Sequence, residues 1–210
     1  MSRSIHIRRV HFCDIPYLYE ICLKTGFNGK NAQDMFYNPY MLGEYYAVNY
    51  VFFDPNSCFV AVDTEVNENG SLTYKPKGYV LGCTNTDAFN KWMDETWLIP
   101  LQERYPQGYK GKTDFETQTA SLFHKKRNTE ANRIEDFPAH MHIDILPDLQ
   151  GKGCGRALTE RFLRHASENN VSAVHLGVSA DNRNAIAFYQ KMGFSTLKKY
   201  DDALIMGKQL

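Results

Sequence analysis

Residues 150–157 read Gln-Gly-Lys-Gly-Cys-Gly-Arg-Ala, with glycine at every second position from 151 to 155. The stretch follows an alternating apolar run at 140–146 and precedes apolar residues at helical spacing over 156–169. Glycine has no Cβ, so its backbone can take positive φ or approach a ligand closely. Amides at the start of a helix, together with the helix dipole, favour bound anions. The stretch therefore predicts a phosphate-binding loop between a strand and a helix.

Two common nucleotide-binding loops do not fit this spacing. A Walker loop requires Lys and then Ser or Thr after its last glycine, whereas Gly155 is followed by Arg156 and Ala157. The dinucleotide fingerprint would require glycine at 156 or 158, where the chain has Arg and Leu. A tight turn without a ligand remains the alternative interpretation.

The segments around the loop predict a mixed α/β sheet. Downstream of it, the patterns predict a strand at 173–178, a helix at 184–192 with Asn182 as its cap, and strands at 194–200 and 203–207. Upstream, they predict a strand at 4–10, a helix from Asp14 to Gly26, an irregular helical region at 31–50, and a hairpin of 58–62 with 78–83 around a turn at 67–71. The order β-α-β-α-β-β from residue 140 onward indicates the α/β class.

Residues 86–138 are expected to form a helical and loop insertion within a single domain spanning 1–210. Apolar residues at 86–105 recur at helical spacing, whereas 106–138 is polar and predicts one helix near 117–126. The basic run at 124–127 is typical of a solvated surface, and a docking patch for an acidic partner is the alternative.

Composition excludes several classes of function. The chain has 24 basic and 24 acidic side chains, without the basic excess of a nucleic-acid-binding protein. It lacks the run of about 20 apolar residues that a membrane span needs, and its start resembles no export signal, so we expect a soluble, unexported protein. The five scattered Cys indicate reduced thiols rather than disulfides or a zinc site.

Two motifs together resemble the GCN5-related N-acetyltransferases (GNAT). The segment 150–155 resembles that family's Gln/Arg-x-x-Gly-x-Gly/Ala signature, and 143–147 (Ile-Asp-Ile-Leu-Pro) resembles its fourth strand. A second family motif is matched at Asn182, Ala185, Phe188, Tyr189, Gly193 and Phe194. Segments 19–26, 79–82, 97–101 and 140–144 further resemble the acetyltransferase-like domain of O-GlcNAcases and its stand-alone microbial relatives, a subgroup in which some members are thought to have lost activity.

The resemblance implies a GNAT fold, with a central mixed, mostly antiparallel sheet that is splayed between strands 4 and 5 and flanked by helices. It implies acetyl-CoA as co-substrate and no metal. Backbone of Ile145 and Leu146 would pair with pantetheine, the Ile145 amide would polarise the thioester, and amides of 151–156 would bind the pyrophosphate. The full set of implied coenzyme-binding residues is Ile145, Leu146, Gln150, Gly151, Lys152, Gly153, Cys154, Gly155, Arg156, Asn182 and Tyr189.

Catalytic candidates come from the same resemblance and from strand alternation. Tyr189 matches the position of the family's general acid. A phenol with pKa near 10 is protonated at neutral pH, so it can donate a proton. The alternative is a tyrosine that only fills the core. His140, His142 and Asp144 share one strand face. Two explanations are open: these side chains meet a substrate, or they form a buried hydrogen-bond network, and both can hold together. We take Asp144 and His142 as candidates for the base or for substrate contact.

The predicted function is direct transfer of an acetyl group from acetyl-CoA to a primary amine of unknown identity. The alternative is an acetyl-CoA-binding pseudo-acetyltransferase that serves as a binding or interaction module. We expect a cytoplasmic monomer or homodimer, with the nucleus as a further location, that engages neither nucleic acid nor membrane.

Overall fold

The computed structural model describes residues 3–66 and 71–210. The strands are β1 (Arg3–Arg9), β2 (Phe59–Val66), β3 (Leu72–Cys83), β4 (Ala139–Ile145), β5 (Ala173–Ser179), β6 (Ser195–Lys199) and β7 (Ala203–Gln209). The helices are α1 (Ile15–Thr25), α2 (Met41–Tyr46), α3 (Val48–Phe53), α4 (Thr86–Trp92), α5 (Leu98–Arg104), α6 (Asp114–Leu122), α7 (Cys154–Glu168) and α8 (Arg183–Lys191). Within these ranges, no helix has the length and apolar character needed to cross a membrane.

The strands form one seven-stranded sheet in the order β1-β2-β3-β4-β5-β7-β6. Neighbours pair antiparallel, except β4 and β5, which run parallel. These two strands pair only at Ala139 with Val174 and His140 with His175, and then separate. The predicted mixed α/β fold, with a mostly antiparallel sheet splayed between strands 4 and 5, is confirmed.

Each face of the sheet has its own core. On one face, helix α7 packs Leu158 and Phe162 against Val80 and Met141 of the central strands. On the other face, α1 to α5 and their connections bury an aromatic-rich cluster that includes Tyr79 of β3. Alternation along the strands sends neighbouring side chains into different cores, so β3 and β4 are covered on both sides.

The predicted elements after residue 139 agree with the structure within two residues. The helix predicted at 156–169 begins two residues earlier than expected, at Cys154. Gly153, with φ of +80°, takes the N-cap position, so Cys154 and Gly155 lie in the first helical turn rather than in the loop.

The amino-terminal half differs more from the expectation. Helix α1 begins after Asp14 as predicted, but the Asp14 carboxylate pairs with Arg8 (2.6 Å) and accepts from the His11 amide (2.8 Å) instead of capping the helix. The irregular region at 31–50 contains the two short helices α2 and α3. The β2–β3 hairpin is confirmed, and its predicted turn at 67–71 lies outside the described residues except for Ser71.

The segment 86–138 is helical where the spacing predicted a helix. Helices α4 and α5 are joined by a π-helical turn at Met93–Trp97. The helix predicted near 117–126 is α6, which begins and ends earlier, because the Thr113 hydroxyl accepts from the Glu116 amide (3.2 Å) and caps it. The buried Glu116 carboxylate in turn accepts from the amides of Tyr37 (3.0 Å) and Lys112 (2.6 Å), which ties the segment to the rest of the fold.

Candidate functional site

The glycine loop links the end of β4 to α7. Gly151 and Gly153 have φ of +72° and +80°, and a Cβ built on either would have no atom within 4 Å. Glycine is therefore favoured here by backbone conformation rather than by space. The first bond from the loop into the helix runs from the Ala157 amide to the Gly153 carbonyl (3.0 Å), which leaves the amides of 154–156 at the start of a 15-residue helix. Such amides favour an anion.

Gly155 is favoured for a different reason. A Cβ at this position would lie 3.3 Å from Ile145 Cδ1 and 3.3 Å from the Phe188 ring. The third glycine thus allows α7 to pack closely against β4 and α8. The sequence analysis offered positive φ or close approach to a ligand as the reason for these glycines, whereas the structure assigns two to positive φ and one to packing within the protein.

The other loop side chains divide into exposed charges and a buried thiol. Lys152 is exposed, and Arg156 is exposed with Glu160 at 3.7 Å. Burial raises the pKa of the Cys154 thiol, so it stays protonated at neutral pH and is not a nucleophile. Gln150 Nε2 donates to the Ile145 carbonyl (2.8 Å), which fixes the loop to the end of β4.

The edge of β4 presents backbone amides to the gap beside β5. The Leu146 amide donates to the Lys77 carbonyl (2.8 Å), which places Leu146 on the β3 side of the ladder. Because amides in an antiparallel ladder alternate in direction, those of Ile145 and Ile143 point towards the gap. The Leu146 amide is therefore already bonded, whereas those of Ile145 and Ile143 are placed to meet pantetheine, and the predicted pairing of the Leu146 backbone with pantetheine stays a prediction.

A cavity of about 180 Å³ lies where β4 and β5 separate. It is lined by residues from β4, β5, α8, the end of α1 and α2, and these include His142, Ile143, Asp144, Asn182 and Tyr189. Both base candidates, the acid candidate and the second-motif asparagine thus meet in one space. Ile143, which the sequence analysis did not name, lines it as well.

The base candidates form a compact polar group with Tyr79. His142 Nε2 lies 3.1 Å from Asp144 Oδ2, and the Tyr79 hydroxyl donates to the same oxygen (2.6 Å). The side chains of His142 and Asp144 are 30% and 18% exposed, so the group can meet a ligand in the cavity. The sequence did not identify Tyr79 as a site residue, because only the pairing of β3 with β4 places it opposite Asp144.

A group of possible metal ligands lies here too. Within the described ranges, Cys22, His142 and Asp144 bring their ligand atoms within 4.8 Å of one another. The Tyr79 hydroxyl already donates to Asp144 and lies 3.4 Å from His142 Nε2. Burial strongly raises the pKa of the Cys22 thiol, which opposes the thiolate form that binds metal. The expected absence of a metal stays a prediction.

His140 belongs to a buried network rather than to this cavity. Its Nδ1 lies 2.9 Å from the Thr86 hydroxyl, and its Nε2 lies 2.9 Å from the Tyr50 hydroxyl. Burial, with the neighbouring His175 and Arg127, holds its pKa well below the ordinary value. The predicted buried network is therefore present at His140, whereas His142 and Asp144 face the cavity and their contact with a substrate stays a prediction.

Tyr189 and Asn182 occupy opposite ends of the first two turns of α8. Asn182 Oδ1 accepts from the Ala185 amide (3.1 Å), which confirms its capping role. Tyr189 is buried, and burial with the charge of Asp144 raises its pKa well above the ordinary value. The phenol is therefore protonated at neutral pH, beside the cavity.

The Acetyltransferase (GNAT) family model matches residues 120–194. The crystal structure of SsHAT superposes with a TM-score of 0.84, is 31% identical, and is matched over 98% of each chain. Protein O-GlcNAcase of Rattus norvegicus is 22% identical over 215 residues, which cover all of this chain and 22% of that protein.

A stronger local similarity lies in part of the chain. Mycothiol acetyltransferase of Paenarthrobacter aurescens (strain TC1) is 44% identical over 52 residues, which cover 25% of this chain and 16% of that protein. The alignments thus span about a fifth of the length of these curated relatives.

Proposed function

The chain belongs to the GNAT acetyltransferase family, as its motifs indicated, and on that premise we propose that it transfers an acetyl group from acetyl-CoA directly to a primary amine. The observation that carries the proposal is the cavity between β4 and β5, where His142, Asp144 and Tyr189 meet. A proton acceptor and a proton donor on the two sides of one space are what amine acylation requires.

The glycine loop and the β4 edge suit a coenzyme A. Amides at the start of α7 face the position for phosphate oxygens, and Lys152 and Arg156 add positive charge at the surface. The backbone groups of Ile145 and Ile143 lack a β5 partner, since the strand pairing ends at His140. A pantetheine amide would take the place of that partner. We propose these residues, with Gln150 to Gly155 and Asn182, as the coenzyme site.

When bound, acetyl-CoA supplies an acetyl thioester, whose C–S bond breaks as the N–C bond to the amine forms. Asp144, paired with His142, receives the proton that the attacking amine loses. Tyr189 donates its proton to the departing sulfur. The amide of Ile143 polarises the thioester carbonyl, since Ile143 lines the cavity and Ile145 does not.

Tyr79 positions the proton acceptor in this scheme. Its hydroxyl donates to Asp144 Oδ2, the oxygen that also faces His142. Burial and the charge of Asp144 hold the Tyr79 pKa far above the ordinary value, so it remains a donor throughout the working pH range. It fixes the carboxylate without competing for the amine's proton.

We also propose that residues 1–210 form a single GNAT domain in which 86–138 is an insertion. The proposed setting is the cytoplasm, with the nucleus as the alternative, and the proposed state is a monomer or homodimer. The proposed partners are acetyl-CoA and an amine, not nucleic acid or membrane.

Two measurements test the function. Calorimetry with acetyl-CoA measures binding, and a thiol-release assay over a panel of primary amines measures turnover. Binding with turnover supports the proposal. Binding without turnover on any amine would favour the non-catalytic acetyl-CoA module, and no heat at high micromolar concentration would refute the coenzyme site.

The Tyr189→Phe variant tests the acid assignment. Removal of the hydroxyl should lower kcat about 100-fold or more, the scale of general acid catalysis, and leave the Kd for acetyl-CoA nearly unchanged. Tyr200→Phe, at an exposed tyrosine outside the cavity, is the matched control and should behave as the wild type. Unaltered turnover in Tyr189→Phe would remove Tyr189 from the mechanism.

A further inference from the structure

A second cavity, of about 440 Å³, lies near the beginning of β4 and β5. Its lining is rich in cations and hydrogen-bond donors: Tyr45, Thr86, Asn90, Lys125, Lys126, Arg127, Thr129, Asn132, His140 and His175. No Asp or Glu belongs to this lining, within the part of the chain that the structure describes. The basic run at 124–127 therefore contributes three of its members to the lining, with Lys125 and Lys126 exposed as predicted and Arg127 partly buried.

Arg127 is the central cation of this cavity. Its Nη1 donates to the Tyr45 hydroxyl (2.7 Å) and its Nε donates to Asn90 Oδ1 (3.2 Å). The guanidinium stacks over the Tyr45 ring, with Cζ 5.1 Å from the centroid, and over the Phe89 ring at 5.8 Å. Both hydrogen-bond partners are neutral, so they orient the charge without compensating it.

Among the described residues, the carboxylate bonded to this segment is that of Asp94, and it bonds the backbone rather than the Arg127 guanidinium. The Asp94 carboxylate accepts from the backbone amides of Arg127 (2.9 Å) and Asn128 (2.9 Å). No carboxylate among the described residues comes within 4.0 Å of the Arg127 guanidinium nitrogens. A partly buried cation without a counter-ion costs free energy, which a bound anion would offset.

The cavity adjoins the proposed acetyl-transfer site. His140 lines the basic cavity and His142 lines the transfer cavity, and two residues of strand separate them by about 7 Å. The rings of Tyr45 and Tyr46, one in each lining, touch with centroids 4.8 Å apart. The glycine loop lies beyond the opposite end of β4, so the coenzyme phosphates and the basic cavity occupy different ends of the strand.

We propose that the basic cavity binds an anionic group of the acceptor, either a carboxylate or a phosphate. The amine of the same acceptor is acetylated in the transfer cavity, beside His142 and Asp144. The amine and the anion would then be separated by about 7–13 Å, the length of two to four residues of β4. Arg127 supplies the oriented guanidinium, and Lys125 and Lys126 supply exposed charge at the rim. The acceptor part of this proposal rests on the proposed function, whereas anion binding by the cavity does not.

The first test measures anion binding without turnover. Protein saturated with coenzyme A, which fills the glycine loop, is titrated with inorganic phosphate while Tm is followed, against sodium chloride of equal ionic strength. Phosphate should raise Tm in the wild type, and the shift should shrink by about half or more in Lys125→Gln/Lys126→Gln, since ligand stabilisation follows affinity. Lys110→Gln/Lys112→Gln, two exposed lysines outside the cavity, should keep the wild-type shift.

The second test measures acceptor selectivity. Aminocaproate, aminohexyl phosphate and the neutral amide of aminocaproate are compared as acceptors, which separates a carboxylate from a phosphate and both from no charge. The wild type should favour one anionic acceptor, and Lys125→Gln/Lys126→Gln should raise its KM about tenfold with kcat unchanged. The KM for the neutral amide should not change.

Arg127→Lys sharpens both tests, because it keeps the charge and loses the planar fork. It should weaken phosphate binding and anion selectivity and leave the circular-dichroism spectrum unchanged.

A phosphate-induced rise in Tm that is equal in the wild type and the Lys125/Lys126 variant would overturn the anion site. Phosphate binding with equal KM values for charged and neutral amines would overturn its role in acceptor recognition. Absence of turnover on every amine would refute the proposed function, while the phosphate titration would still decide the cavity.

Discussion

The two faces of β4 carry different kinds of side chain. Towards α7 the strand presents Ala139, Met141 and Ile143, and there Met141 packs with Phe162 in an apolar core. Towards α1 to α4 it presents His140, His142 and Asp144. His140 lies within hydrogen-bond distance of hydroxyls of α3 and α4, and Asp144 accepts from Tyr79 and lies 3.1 Å from His142. One face of β4 is therefore held in place by apolar packing, and the other face is held by hydrogen bonds.

The apolar face of β4 contributes mainly to the stability of the fold, and the polar face carries the groups proposed for catalysis. The α7 face fixes where β4 lies, and the glycine loop continues from that strand into the same helix. On the opposite face, β5 leaves β4 after His140, and His142 and Asp144 line the cavity that opens there. Changes to the apolar face should therefore affect folding first, and changes to the polar face should affect turnover first.

The largest effect is expected on the apolar face. Phe162 is fully buried, and its ring lies so close to Gly82 that a Cβ there would be 2.4 Å from it. Phe162→Ala should lower the free energy of unfolding by about 3–5 kcal/mol through lost burial and a cavity. Urea unfolding of the wild type and the variant measures this change.

Phe12→Ala provides the matched control, because Phe12 is 61% exposed. Its free energy of unfolding should change by less than about 1 kcal/mol. If the Phe162 variant, measured where it is fully folded, lost turnover as severely as an Asp144 variant, the separation between the two faces would be wrong.

An intermediate effect is expected on the polar face. Asp144→Asn keeps an acceptor for the Tyr79 hydroxyl but removes the proton-accepting carboxylate, so kcat should fall about 100-fold or more with little change in urea unfolding. Asp34→Asn, at an exposed carboxylate outside the cavity, is the control. Equal kcat in the two variants would exclude Asp144 as the proton acceptor.

The smallest effect is expected from acid. Burial lowers the pKa of both His140 and His175, so the folded protein binds fewer protons than the unfolded chain below the ordinary histidine pKa. The free energy of unfolding should therefore fall, by about 1–2 kcal/mol, as pH drops from about 7 to about 5. Urea unfolding across this range measures the slope.

His175→Gln should flatten that slope, because it removes one group that must stay neutral in the folded state. His6→Gln, at an exposed histidine, should leave the slope as in the wild type. A slope that is the same in all three proteins would show that acid does not act through His175.

The sequence by itself determined the family, the order of the last strands and helices, and the loop at 150–155. These features depend on local spacing: glycine register, strand alternation and helical periodicity act over a few residues. The acid candidate Tyr189 and the capping Asn182 were found for the same reason, since both lie at fixed positions in one short motif.

Only the tertiary structure decided which groups meet. The contact of Tyr79 with Asp144 depends on the register of two strands 65 residues apart, and the cavity beside Arg127 brings a loop to the start of β4. The free amides of Ile143 and Ile145, and the occupied amide of Leu146, depend on which neighbour each residue bonds. Local spacing contains no information on such pairings, because they are set by long-range packing of the whole sheet.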